Sequence, residues 1–218
     1  MKFSAIITAG GTASRFGKNN KLLEKIGSKE VIRHTVDAFL AVKEISEIVI
    51  CANISILEQL KELFKNEGKV RIIEGGNTRQ QSVCNGLLAL KTDYVLIHDG
   101  ARPLITTETI KKAILMVQEK KALTVATKTT DTIKQVDENF KIIKTIDRST
   151  LFNTQTPQAF EYNLIKDAHE KLRGQNFTDD AGMLEFLGYN VYVLEGGCEN
   201  IKITTKGDIK LARFLIGV

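Results

Sequence analysis

Apolar, β-branched runs recur along the first half of the chain, and helix-period patterns fill the gaps between them. The runs are residues 3–8, 47–51, 70–73, 94–98 and 122–126, each of strand length. Between them Leu57, Leu60 and Phe64 share one helical face, as do Val83, Leu87 and Leu90, and then Ile110, Ala113, Ile114 and Val117. Ser55 with Glu58, and Thr78 with Gln81, have capping-box spacing and predict two helix starts. Alternation of strand and helix in this order predicts an α/β fold: a Rossmann-like, mostly parallel twisted sheet flanked by helices.

The pattern changes after Val125. Residues 129–136 and 140–146 alternate polar and apolar positions around Asp137, Glu138 and Asn139, which predicts a β-hairpin. Both of its faces are too polar for a central strand, so it is expected to protrude as an arm over about 129–148. A lone two-stranded ribbon is marginal in water, and a partner subunit would cover it. Helices from about Glu161 and Asp179, short strands near Val191 and Ile201, and a helix from about Asp208 complete a single expected domain over 1–218.

Composition narrows the class. A chain of 218 residues, 43% hydrophobic and 26% charged, can bury roughly 70% of its unfolded surface. No apolar run reaches the length that spans a bilayer, and the apolar start reads as a strand rather than a leader. A cytoplasmic, membrane-free protein is expected. Cys51, Cys84 and Cys198 are too scattered for a disulfide framework or a Cys-x-x-Cys metal site. The three histidines are scattered too. The net charge of +5 suits phosphorylated ligands, but without a basic tail or aromatic-interleaved stripe it does not point to nucleic acid.

Ligands of open parallel sheets bind at the carboxyl ends of the strands. The first such loop runs from Ala9, Gly10 and Gly11 through Arg15 and Lys18 to Lys21. It contains neither Gly-x-Gly nor P-loop spacing. A glycine-rich turn with flanking cations remains, suited to a triphosphate and equally compatible with a tight strand exit. The fourth strand ends in His98-Asp99-Gly100-Ala101-Arg102-Pro103. There Asp99 is placed to hold Mg²⁺ or to accept from sugar hydroxyls, and Arg102 to grip a phosphate. The two would also serve as a structural pair. Gly75 to Ser82 forms a loop able to read a base edge, and Lys202 lies in a short segment near the end.

Together these segments resemble the 2-C-methyl-D-erythritol 4-phosphate cytidylyltransferase family of the nonmevalonate isoprenoid pathway. The resemblance spans nearly the whole chain. It rests on the glycine loop ending at Arg15, Asn20-Lys21, Gly75-Gly76 through Arg79 to Ser82, and the Asp99–Arg102 segment. It continues through Asp131-Thr132, Asp147-Arg148, Thr156-Pro157-Gln158, Thr178-Asp179-Asp180-Ala181 and Asn200-Ile201-Lys202. The resemblance implies that Arg15, Lys21 and Lys202 are catalytic, stabilising charge around the α-phosphorus of CTP. It implies that Ala9, Gly10, Gly11, Gly76, Asn77 and Ser82 bind the nucleotide. Asp99, Arg102 and Thr156 would bind methylerythritol phosphate, with Asp99 near a Mg²⁺ ion. The arm would cross into the second subunit of a homodimer, where Thr132 and Arg148 complete the neighbouring site. The chain departs from the family pattern at Ala13, Phe16, Asn20, Leu22 and Asn77. The same chemistry on ribitol 5-phosphate, or a nucleotide-binding module without catalysis, are the competing readings.

Overall fold

In the computed structural model, residues 1–10 and 20–218 are described. The predicted alternation is present. Strand β1 (Phe3–Ala9) leads to a small hairpin, β2 (Lys25–Ile26) and β3 (Lys29–Glu30), and then to helix α1 (Val31–Leu40). Gly27 takes φ 62 in that hairpin turn, a conformation glycine adopts without strain. There follow β4 (Ile45–Ala52), α2 (Leu57–Leu63), β5 (Val70–Glu74), α3 (Arg79–Leu88), β6 (Tyr94–Asp99), α4 (Thr107–Lys120) and β7 (Ala122–Lys128). The arm is β8 (Ile133–Val136) with β9 (Ile142–Ile146). The chain closes with β10 (Phe152–Glu161), α5 (Tyr162–Lys171), α6 (Asp180–Phe186), β11 (Tyr192–Glu195) and α7 (Lys206–Ile216).

Seven strands form one sheet in the order β11-β7-β10-β6-β1-β4-β5. All neighbours are parallel except β10, which runs antiparallel to both β6 and β7. The strand pleat sends alternate residues to opposite faces. Ala5, Ile7, Ile48, Ile50 and Leu96 pack under α1, α2, α4 and α7. Ile6, Val49, Val95 and Ile97 pack under α3, α5 and α6. Both faces are therefore covered, which is why the central strands read as nearly continuous apolar runs.

The hairpin is observed where the sequence places it, as a separate two-stranded sheet. Asp137 Oδ1 accepts from the N–H groups of Asn139 and Lys141 at 3.0 and 2.9 Å and closes the turn. Phe140, Ile142 and Ile143 are exposed on it, Phe140 by 85%.

Three local expectations are revised. The Ser55–Glu58 capping box does not form: Asn53 Oδ1 captures both the N–H and the hydroxyl of Ser55 in a 3₁₀ turn before α2. Thr78 does cap α3 through Gln81 N–H, but Gln81 Oε1 accepts from Asn77 N–H instead of closing a reciprocal box. The segment at Ile201 is a loop rather than a strand, pinned by Ile203 N–H on the Ala101 carbonyl. A capping box does form at the last helix, between Thr205 and Asp208.

Candidate active site

The strand ends and the Asn200–Lys202 loop meet in a cleft of about 260 Å³, with Asp99, Arg79, Arg102, Thr156 and Lys202 in its walls. Asp99 is the last residue of β6 and only 6% exposed. Three cations face its carboxylate: Lys202 Nζ at 2.7 Å, Arg79 Nε at 3.5 Å and Arg102 Nε at 3.7 Å. Burial alone would push the Asp99 carboxyl up, but Lys202, Arg79 and Arg102 outweigh it and hold the group well below the usual carboxylate range. Asp179 also lines the wall, with its oxygens spent on Gly182 N–H and on the Gln158 amide. The cleft thus presents more positive than negative charge, the field an anionic ligand requires.

Each wall has a local cause. Lys202 is held by stitching of its loop: Arg102 Nη1 donates to the Asn200 carbonyl at 2.7 Å, and Asn200 Nδ2 donates to Gln155 Oε1 and to the Thr156 carbonyl. Arg102 Nε and Asn200 Oδ1 are buried without a hydrogen-bond partner among the described residues. Thr156 sits on β10, where Pro157, which cannot donate to a ladder, falls in a register shift between Thr154 and Gln158. Its hydroxyl accepts from Asp99 N–H at 3.0 Å and lies 2.9 Å from His98 Nδ1. His98 Nε2 contacts the Arg102 carbonyl, which only accepts, so Nε2 carries the ring hydrogen and Thr156 donates to Nδ1. Burial lowers the His98 pKa to about 4, keeping the ring neutral. The Thr156 hydrogen is therefore committed to His98, and only acceptor capacity is left for a ligand.

Gly10, Gly75 and Gly76 gather around Ser82. Its hydroxyl accepts from Gly76 N–H at 2.9 Å and donates to the Thr78 carbonyl at 2.9 Å. A Cβ on Gly10 or Gly75 would come within 3.0 or 2.9 Å of the same oxygen. Ser82, 1% exposed, thus locks the exit of β1 against the Gly75–Gly76 loop. Ala9 ends β1, and Asn77, next to Gly76 in sequence, is exposed. Lys21 follows Asn20, whose side chain caps the turn through Leu22 N–H. Gly11 and Arg15 lie outside the described residues. Thr132 and Arg148 sit on the exposed arm and its base, where Arg148 donates to the Thr130 carbonyl, and neither lines the cleft.

Asp99 does not suit a metal ion as a direct ligand. Its oxygens already face three cations, and among the described residues no three His, Cys, Asp or Glu side chains gather to hold one. The surroundings favour its other expected role, toward cations and hydroxyls. A larger cleft of about 510 Å³ lies between α3 and the end of α5, without a comparable carboxylate–cation cluster.

The profile of the 2-C-methyl-D-erythritol 4-phosphate cytidylyltransferase family matches residues 3–218. The chain belongs to this family. A cytidylyltransferase of that name from Clostridium tetani is 41% identical, over 97% of this chain and 89% of its own. The crystal structure of the 4-diphosphocytidyl-2C-methyl-D-erythritol synthase from Anaerococcus prevotii is 34% identical and covers 100% of this chain and 96% of its own, with a TM-score of 0.90. The Thermus thermophilus cytidylyltransferase, 28% identical, covers both chains fully with a TM-score of 0.83. The chain is a nucleotidyltransferase of the isoprenoid pathway, and ribitol phosphate is the less favoured acceptor. Among the described residues no helix is long and apolar enough to cross a membrane.

Sequence reasoning named Arg79, Gln158, Thr178 and Asp180 only as parts of motifs. The structure places Arg79, Gln158 and Thr178 in the cleft wall and Asp180 directly behind Arg79.

Proposed function

We propose that this member of the methylerythritol phosphate cytidylyltransferase family transfers CMP from CTP at the cleft around Asp99. The phosphate of 2-C-methyl-D-erythritol 4-phosphate attacks the α-phosphorus of CTP in line. The bond from the α-phosphorus to the bridging oxygen breaks, and pyrophosphate leaves. A phosphate monoester is a competent nucleophile at neutral pH, so no general base is required. Catalysis is then positioning and cationic stabilisation. The observation that carries this placement is that three cations face one buried carboxylate in a cleft at the carboxyl end of β6.

In this reading Lys202 and Lys21, with Arg15, stabilise charge at the α-phosphorus, Arg102 meets the acceptor phosphate, and Thr156, left with acceptor capacity only, accepts from a hydroxyl of the acceptor substrate. Asp99 tethers Lys202 and accepts from acceptor hydroxyls. Ala9, Gly10, Gly11, Gly76 and Asn77 form the nucleotide cradle that Ser82 braces. Mg²⁺ would enter on the triphosphate's own oxygens, rather than on Asp99. A homodimer is supported by the exposed apolar side chains of the arm, through which Thr132 and Arg148 would reach the partner's cleft. A cytoplasmic location is supported by three free cysteines.

The deciding experiment measures pyrophosphate release from CTP and Mg²⁺ with methylerythritol phosphate, ribitol 5-phosphate or neither. Release with methylerythritol phosphate alone is expected. Release with ribitol phosphate would move the acceptor, and silence with both in a folded, CTP-binding protein would overturn the reading.

A further inference from the structure

Behind the cleft wall lies a chain of buried polar side chains that the transfer reaction, as described, does not use. Asp180 is 1% exposed and His169 3%. Asp180 Oδ2 lies 2.8 Å from Arg79 Nη1, and Oδ1 lies 3.0 Å from His169 Nε2. Its main-chain N–H donates to Gln158 Oε1 at 3.0 Å. Neither carboxylate oxygen is left over, and His169 stands at the edge of the larger cleft.

We propose that Asp180 and His169 are positioning residues of the transfer: Asp180, held by His169, grips one edge of the Arg79 guanidinium and keeps Arg79 from closing on Asp99, so that Asp99 stays the tether of Lys202. The distances carry the argument. Arg79 makes its close contact with Asp180 at 2.8 Å and stands off from Asp99 at 3.5 Å, while Lys202 takes Asp99 at 2.7 Å. Arginine's planar fork matches a carboxylate in a bidentate geometry that an ammonium cannot equal. Released from Asp180, Arg79 would outcompete Lys202 for Asp99 and draw the carboxylate away from it. Asp180 cannot follow such a movement, because its backbone is bound to Gln158 and its second oxygen to His169. A buried ion pair is weak evidence for stability, since well-packed apolar replacements often serve as well. Its use here is geometric.

This inference rests on the proposed transfer at the Asp99 cleft, and the test separates the two. Pyrophosphate release is measured for Asp180→Asn, Arg79→Gln, the double variant, His169→Gln and His169→Leu, alongside Lys202→Ala. Asp180→Asn is expected to lower kcat about tenfold or more while the KM for CTP changes less than about threefold. If Asp180 acts through Arg79, the double variant loses no more than Arg79→Gln alone. His169→Gln, which keeps a donor, is expected within about twofold of the parent, and His169→Leu well below it. Losses that multiply in the double variant, or equal activity of the two His169 variants, would overturn the proposal. Should Asp180→Asn fail to fold, the His169 pair decides alone. Full activity of Lys202→Ala would instead remove the cleft assignment itself.

Discussion

Lys202 Nζ stands 2.7 Å from Asp99 Oδ2, which joins a loop near the end of the chain to the tip of a central strand. Neither residue holds this position alone. Asn200 ties the loop to β10, and Thr156 ties β10 to the Asp99 amide. The contact gives the ammonium a fixed place beside an anionic ligand, the preorganisation that makes a charge effective at a reacting phosphorus.

Removal of that charge should appear in turnover. For Lys202→Ala we expect kcat to fall by at least roughly a hundredfold, the scale of losing one preorganised stabilising group. Asp99→Asn keeps the shape but releases the lysine, and a loss of about tenfold is expected. Steady-state pyrophosphate release measures both. A Lys202→Ala enzyme within threefold of the parent would remove Lys202 from the catalytic set.

Gln158 is the second test. Its amide is fully buried, and all of its hydrogen-bonding capacity is used: Nε2 donates to Thr124 Oγ1 and Asp179 Oδ2, and Oε1 accepts from Asp180 and Ala181 N–H groups. Only an amide supplies donors and acceptors in this combination. Gln158→Glu places a second carboxylate against Asp179 and removes both donors. We expect it to destabilise the fold by about 2–4 kcal/mol, read from urea unfolding at pH 7. An unchanged midpoint would show that the network relaxes without cost.

These two residues illustrate what the sequence could and could not disclose. The apolar runs at β1, β4, β6 and β7 were legible because strands covered on both faces must be apolar throughout. β10 was not, because Asn153 and Thr154 are polar and exposed, and Gln155, Thr156 and Gln158 are polar yet buried within the sheet. Their polarity is satisfied by His98, Thr124, Asn200 and the start of α6, partners distant in sequence that only the fold brings near. Asp99, Arg102 and Lys202 were legible as motif residues, and the structure gathers them. Asp180 was legible only as part of a motif, since its contact with Arg79 spans 101 positions. The expected box at Ser55 failed because Asn53, two residues earlier, takes both the Ser55 N–H that Glu58 would have accepted and the Ser55 hydroxyl.

Acid stability should report on His98. Burial lowers its pKa from 6.5 to about 4, so the unfolded chain binds this proton more readily than the native one. The stabilisation is complete above about pH 6.5 and declines as the pH falls toward 4. At about 1.4 kcal/mol per unit, the full loss is roughly 3 kcal/mol. Urea midpoints between pH 7 and about 5, above the range where most carboxylates protonate, should fall in the parent. His98→Gln should start lower at pH 7 and decline less steeply. Parallel slopes in the two proteins would show that another group carries the acid sensitivity.

The arm provides the last test. Phe140 is 85% exposed and holds φ 62 at the tip of the hairpin, while Ile142 and Ile143 are each 57% exposed beside it. Exposed apolar side chains on a ribbon that makes no ladder with the main sheet are costly in an isolated subunit. If two subunits exchange arms, Arg148 serves the partner's cleft while Lys21 serves its own. Lys21→Ala and Arg148→Ala homodimers should then each be nearly inactive. After mixing and subunit exchange, the heterodimer carries one site with both defects and one with neither. Up to about half of the parent activity per heterodimer should return. Exchange is followed independently by native mass spectrometry of differently tagged subunits. Recovery would place the two residues on opposite subunits of one site. Exchange without recovery would return Arg148 to its own chain and leave the arm a purely structural contact.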